Sequence, residues 1–145
     1  MHQVATRHLY DLAALAFSAK RDSAEVAANR GLRAALLHAV KTDILRNLRG
    51  HFLSPDVVAA RNGISPRYIR MLFEREGTSF SEFVLLKRLR LAHYMLSQMQ
   101  YVDRPISAIA FDCGFGDLSH FNQAFRRRYG QTPSEVRSSA HSIER

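Results

Sequence analysis

Two stretches of this 145-residue chain, residues 65–75 and 118–128, each gather several side chains that can form paired hydrogen bonds or grip an anion. In the first, Arg67, Arg70 and Met71 lie off an apolar stripe of Ile69, Leu72 and Phe73, with Ser65 and Arg75 flanking them. In the second, Leu118, Ser119, His120, Asn122 and Gln123 precede the run Arg126, Arg127, Arg128. Arginine can offer guanine two hydrogen bonds, Asn and Gln can do the same for adenine, and Met can pack on a thymine methyl group. The chemistry these types support is the reading of base edges in a DNA major groove, with Ser65, Arg75, Arg126 and Arg127 suited to phosphates.

Each residue also has a plainer reading. Ile69, Leu72, Phe73, Phe121, Phe125 and Tyr129 fall at helical spacing and belong to a core rather than to a contact surface. Leu118 stands seven residues before Phe125, so it divides between the edge of that core and a base contact. Arg67 and Arg70 at the exposed start of a helix favour DNA over a solvated face, whereas a run of three arginines is commonly just such a face. His120 with Cys113 and Asp117 could be imagined as a metal or catalytic group. No two histidines stand three to five residues apart and there is no second cysteine, while Asp117 suits a first-turn anion favoured by the helix dipole. Glycine-rich phosphate loops and paired carboxylates are also missing, so the expectation is a non-enzyme with no metal and no cofactor.

Helices must position these side chains, because apolar residues recur at helical spacing almost throughout and no alternating run suggests a sheet. A first helix is expected over residues 4–19, with Leu9, Leu12, Leu15 and Ala16 toward one face, then a loop or short turn of helix over 22–31. A second is expected over 32–48, with Leu36, Leu37, Val40, Ile44 and Leu48 as its inner stripe and Gly50 as terminator. Ser54-Pro55 is an N-cap followed by a first-turn proline, opening a short helix closed by Gly63; Ser65-Pro66 repeats the signal for a helix ending before Gly77. Ser79 or Ser81 caps a longer helix to about residue 98, carrying Phe83, Val84, Leu89, Ala92 and Leu96, and Asp103-Arg104-Pro105 breaks the chain. A short helix over 106–113, a turn at Gly114, a helix from Asp117 to Gly130 and a last turn over 134–138 after Thr132-Pro133 complete the reading.

The two helix pairs are versions of one unit. Ala59 and Gly63 are four apart, as are Ala110 and Gly114, and each glycine precedes one apolar residue, Ile64 or Phe115. A small Ala lets the second helix of a pair approach closely, and Gly permits the turn that a side chain would oppose. The helix between the pairs, at about 1.5 Å per residue, spans about 27 Å, near the roughly 34 Å between successive major grooves on one face of a duplex. One chain could therefore fill two neighbouring grooves.

These residues, Ile64-Ser65-Pro66-Arg67-Tyr68 to Phe73, Arg88-Leu89 with Ala92, Ile109-Ala110, Gly114-Phe115, Ser119-His120-Phe121 to Phe125 and Gly130-Gln131-Thr132-Pro133, resemble the AraC/XylS family of transcription regulators over about residues 32–138. The resemblance implies an all-α protein with two helix-turn-helix subdomains joined by a long linker helix, here preceded by an N-terminal helix, and promoter binding that usually activates transcription. The expected division is residues 1–31 as N-terminal helix and linker, 32–80 as the first subdomain, 81–99 as the linker helix, 100–138 as the second subdomain and 139–145 as a tail. Gln123 stands where the family often has Lys or Arg. The family normally carries a β-rich effector-binding domain upstream, far longer than residues 1–31; their helix resembles the end of such a domain, a part some members use to dimerise, so the chain is expected to be either a fragment or a short protein.

Composition agrees in sign. The formal charge is +8, with nine Lys and Arg against five acids in residues 1–65 and twelve against eight in 66–145, so each part nets +4 and neither is a basic tail. That favours a polyanionic partner, double-stranded promoter DNA first. No stretch has the apolar length of a membrane span, no secretory signal opens the chain, and one cysteine excludes an internal disulfide, so the cytoplasm is expected. Two rival functions follow from the same residues. In one, residues 1–31 form an interaction helix and the module binds RNA polymerase, or itself as a homodimer. In the other, basic helices lie on an acidic membrane or bind RNA; the first lacks a strongly apolar exposed face and the second lacks exposed aromatic platforms.

Overall fold

A computed structural model describes residues 2–143, with the side chains of residues 2–10 and of Phe17 outside that description, and with them the expected inward place of Leu9. Among the described residues there are seven α-helices, one 3-10 turn and no strand, so the all-α expectation stands. The chain divides into two compact units, Met1–His38 and Ala39–Arg145.

Helix α1 (His2–Arg46) contributes to both units and corrects the sequence reading. Residues 22–31, expected as a loop or short turn of helix, are helical throughout, so the separate helices expected over 4–19 and 32–48 are one element. Residues 22–31 contain no proline, and Ala24, Glu25, Ala27 and Ala28 are strong helix formers; a single Gly31 costs only about 1 kcal/mol and meets nothing within 4 Å. Within the first unit Leu12, Leu15, Val26 and Leu32 are exposed, so the expected inner face of the first helix is not buried there.

The second unit holds the repeat. Helix α2 (Pro55–Asn62) starts where the Ser54 hydroxyl accepts from the Val57 amide at 3.2 Å and ends at Gly63, whose φ of +66° is left-handed. Helix α3 (Pro66–Arg75) starts likewise, with Ser65 accepting from the Tyr68 amide at 3.1 Å. Helix α4 (Phe80–Leu96) is capped by Ser79 rather than Ser81, through the Glu82 amide at 3.1 Å. After a 3-10 turn at Met99–Tyr101 come α5 (Ile106–Asp112) and α6 (Leu118–Tyr129), the latter closed by Gly130 at φ +70°. Helix α7 (Pro133–Ser142) is longer than the single turn expected over 134–138, and it takes in most of the expected tail 139–145. The reason is a complete capping box, in which Thr132 accepts from the Glu135 amide while the Glu135 carboxylate accepts from the Thr132 amide.

One backbone hydrogen bond recurs in both turns. The Ile64 amide donates to the Ala59 carbonyl at 3.1 Å, and the Phe115 amide donates to the Ala110 carbonyl at 3.0 Å, so each glycine turn closes over the alanine five residues before the returning strand of backbone. Both alanines are buried, as close packing of the paired helices requires. Helix α4 then serves both pairs. On its first turn Phe80 packs edge-on against Phe73 of α3, while further along Leu89, Ala92, Met95 and Leu96 join Ile109, Phe121 and Phe125 in one core. Val40 and Ile44 of α1 and Leu48 beyond it are buried in this unit as expected. Phe83, expected inward, is only half-buried, with the Lys41 and Lys87 ammonium groups 5.5 and 5.4 Å from its ring centre.

Candidate nucleic-acid interface

Amphipathicity decides which side chains face out. In α3, Ile69, Leu72 and Phe73 are buried, and the turn of helix that hides them leaves Arg67, Arg70 and Arg75 exposed and Met71 half-buried beside them. In α6, Phe121 and Phe125 are fully buried and Tyr129 is half-buried, which leaves Ser119, His120, Asn122, Gln123, Arg126 and Arg127 on the outside. Leu118 is 45% exposed and stands outside the core cluster, so of its two readings the geometry leaves it at the surface. It borders an open groove with Asn122, Gln123 and Arg126 on one wall and Ser107 and Ser134 on the other.

None of these surface cations is spent on a carboxylate. Among the described residues the ion pairs join Arg61 to Asp43 and Arg104 to Asp112, both away from the outer faces of α3 and α6. Arg67, Arg70, Arg75, Arg126 and Arg127 are left with donors directed to solvent, the state in which a guanidinium can meet a base edge or a phosphate without first breaking a salt bridge. Arg128, by contrast, stacks its guanidinium 5.7 Å from the Tyr129 ring centre.

The helix starts differ in charge. Ser65 accepts from the Tyr68 amide, and its own hydroxyl proton remains available for a phosphate oxygen. At the start of α6 the Asp117 carboxylate accepts from the Ser119 amide at 2.8 Å and the His120 amide at 3.2 Å, so Asp117 is the N-cap itself rather than a first-turn residue. Both amides converge on one carboxylate oxygen, Oδ1. Cys113 lies buried with its thiol directed to the Met95 sulfur at 3.7 Å, and burial pushes that thiol up to about 11. Cys113, Asp117 and His120 therefore do not form a common site: one is in the core, one caps a helix and one is exposed. No cluster of three His, Cys, Asp or Glu suited to a metal stands among the described residues, and none of their helices is long and apolar enough to cross a membrane.

Two polar joints were not apparent in the sequence. Asp43 of α1 accepts from Arg61 at 2.9 Å and from Asn62 at 3.1 Å, tying the end of α1 to α2. Arg88 of α4 donates from Nε to the Leu48 carbonyl at 2.9 Å and from a terminal nitrogen to the Gly50 carbonyl at 2.7 Å. Burial lowers the Arg88 guanidinium from its ordinary range, an effect that nearby Cys113 opposes. Backbone carbonyl partners leave no side-chain signature, so no spacing rule would have found the second joint, although Arg88 itself stands in the Arg88-Leu89 pair quoted for the resemblance.

Comparison with known proteins bears on the same residues. A helix-turn-helix domain model matches residues 58–139. The chain is 42% identical over 99 residues to the transcriptional activator RhrA of Rhizobium meliloti, which covers 68% of the chain and 31% of that protein. It is 30% identical to the transcriptional activator RhaS of Klebsiella pneumoniae across 98% of the chain and 49% of that protein, so it spans 31% to 49% of these relatives' length. Among solved structures, an AraC-type DNA-binding regulator from Chromobacterium violaceum superposes with a TM-score of 0.66 at 30% identity, covering 74% of the chain and 93% of that one.

Proposed function

The chain belongs to the AraC/XylS family of transcription regulators and carries the DNA-binding part of such a protein, and from that premise we propose that it reads a bipartite promoter site with α3 and α6 in adjacent major grooves. In this reading Arg67, Arg70 and Met71 face the bases of one half-site, and Leu118, Ser119, His120, Asn122 and Gln123 face those of the other. Ser65, Arg75, Arg126 and Arg127 hold the flanking phosphates and set the register. Helix α4, with 17 residues and about 26 Å of length, is the spacer. The bound protein activates transcription from that promoter, in contact with RNA polymerase, and pairs with a second copy through the N-terminal helix. RhrA and RhaS are named transcriptional activators, which supports the direction of the effect.

The observation that carries this reading is the matched pair of glycine turns, Ala59 to Ile64 and Ala110 to Phe115, each followed by a helix whose outward face bears unpaired polar and cationic side chains. Selection of bound duplexes from a random pool, followed by affinity measured against salt, tests it. The expected product is one enriched sequence with two half-sites about one helical turn apart, about 10 base pairs. Binding without enrichment, with affinity governed by salt alone, would overturn it.

A further inference from the structure

The linker helix is not the whole of what fixes one reading pair relative to the other. Three chain segments far apart in sequence meet at Arg88. The guanidinium donates to the carbonyls of Leu48 and Gly50, just beyond the end of α1. Gly114, the turn of the second pair, lies directly against it: a Cβ built there would be 2.6 Å from Arg88 Nε, 2.8 Å from its Cζ and 2.9 Å from the Leu48 carbonyl oxygen. The side of α4 from which Arg88 projects thus has the second pair's backbone packed onto the guanidinium with no side chain between them. A second contact runs alongside, where the His51 and Phe111 rings sit 4.3 Å apart between the segment after α1 and helix α5. The same end of α1 is held to α2 by Asp43, through Arg61 and Asn62. Polar contacts therefore run from α2 of the first pair, through the end of α1, to Arg88, and close packing on Gly114 carries the connection on to the α5–α6 turn of the second.

Resting on the two-groove reading above, we propose that Arg88 is a positioning residue for DNA specificity: by clamping the end of α1 against Gly114 it fixes the angle between the two reading helices and so selects the spacing between half-sites. The clamp makes no contact with DNA. Its position accounts for the assignment, because on α4 it falls between Phe80, which packs on the first pair, and Leu89, which begins the core of the second. A helix alone resists bending but leaves each pair to rock about its own contacts with that helix; the guanidinium, bonded to one segment and stacked under another, opposes that rocking. The carbonyls it bonds lie two and four residues past the end of α1, and no carboxylate competes for it among the described ion pairs.

The test uses the full chain and duplexes carrying the selected half-sites at the natural spacing, with one or two inserted base pairs, and with one half-site scrambled. Each inserted pair moves the second half-site by about 3.4 Å and turns it by about 34°. The unaltered protein is expected to lose about tenfold or more in affinity for the first insertion, because a rigidly held second pair can no longer engage. Arg88→Met keeps the apolar stem and removes the bonds; it should bind the natural spacing about tenfold more weakly, bind the inserted duplexes within about threefold of that, and bind the single half-site as the parent does. Arg88→Lys, which retains the charge but not the fork, should fall between and serves as the variant of record if the methionine protein does not fold. Unchanged spacing preference in the variants overturns the inference, and so does an equal loss on single and paired half-sites, which would make Arg88 structural only. If the unaltered protein gains nothing from the second half-site, the two-groove reading itself fails and takes the inference with it.

Discussion

Gly63 and Gly114 occupy equivalent turns, and the structure separates their contributions. Both have positive φ, +66° and +96°, so alanine at either position adopts a left-handed backbone that costs about 1–2 kcal/mol. Part of that, about 0.4–1 kcal/mol, returns because alanine also narrows the unfolded chain, leaving a net loss near 1 kcal/mol. Around Gly63 a new Cβ meets nothing within 4 Å, and the loss stops there. At Gly114 the Cβ would overlap the Arg88 guanidinium, so one or both of its carbonyl bonds must break; a hydrogen bond from a charged donor contributes about 1.5–3 kcal/mol. Gly114→Ala should therefore cost about 2.5–4 kcal/mol against about 1 for Gly63→Ala. In urea, with a slope of about 1.5–2 kcal/mol per molar, the midpoint should fall by about 0.5–0.7 M for Gly63→Ala and by about 1.3–2.7 M for Gly114→Ala, followed by helical circular dichroism. The double variant with Arg88→Ala closes the cycle, since with the guanidinium gone the penalty at Gly114 should drop toward that at Gly63, with the Leu48 oxygen at 2.9 Å left to displace. Equal midpoint shifts for the two glycines, or an undiminished Gly114 penalty in the Arg88→Ala background, would refute the contact as the cause.

Arg70→Ala should weaken binding to the selected site by about 1–3 kcal/mol and relax preference at one base pair, read by competition among single-base variants; a uniform loss over all sequences would make Arg70 a phosphate contact instead. Arg126→Ala should weaken binding to every sequence alike and reduce the slope of log affinity against log salt by about 1, measured by titration at several salt concentrations. Cys113 is neutral in the folded protein up to about pH 11, whereas its ordinary value is 9.0, so its burial contributes stability that is whole below pH 9 and is lost as the pH rises from 9 to 11. The stability difference between the protein and Cys113→Ala should accordingly shrink over that interval, and alkylation of the thiol at pH 8 should proceed no faster than unfolding.

Local chemistry made much of this fold legible. Ser54-Pro55 and Ser65-Pro66 mark helix starts because the hydroxyl and the missing amide act within one turn, and the structure has α2 and α3 begin there. Gly63 and Gly130 mark ends for the same reason, both being left-handed. Where the sequence misled, local signals had been given too little weight. Helix formers Ala24, Glu25, Ala27 and Ala28 within residues 22–31 carry α1 through. Thr132 with Glu135 was a capping-box signal that could have extended α7, and it was read only as a cap for a single turn. The outward side chains of α3 and α6 were legible because burying Ile69 and Phe121 leaves their helical neighbours no other direction. Arg88 was not, since its partners at Leu48 and Gly50 lie 40 and 38 residues away and offer only main-chain oxygens.

The two reading helices also begin on unlike electrical terms. Ser65 is neutral, so the first keeps the partial positive end that any α-helix turns toward an anion; Asp117 sets a full negative charge at the matching place on the second and cancels it. A phosphate is thus drawn to the start of the first helix but not to the start of the second, where attraction must come from Arg126 and Arg127 in the last turn instead.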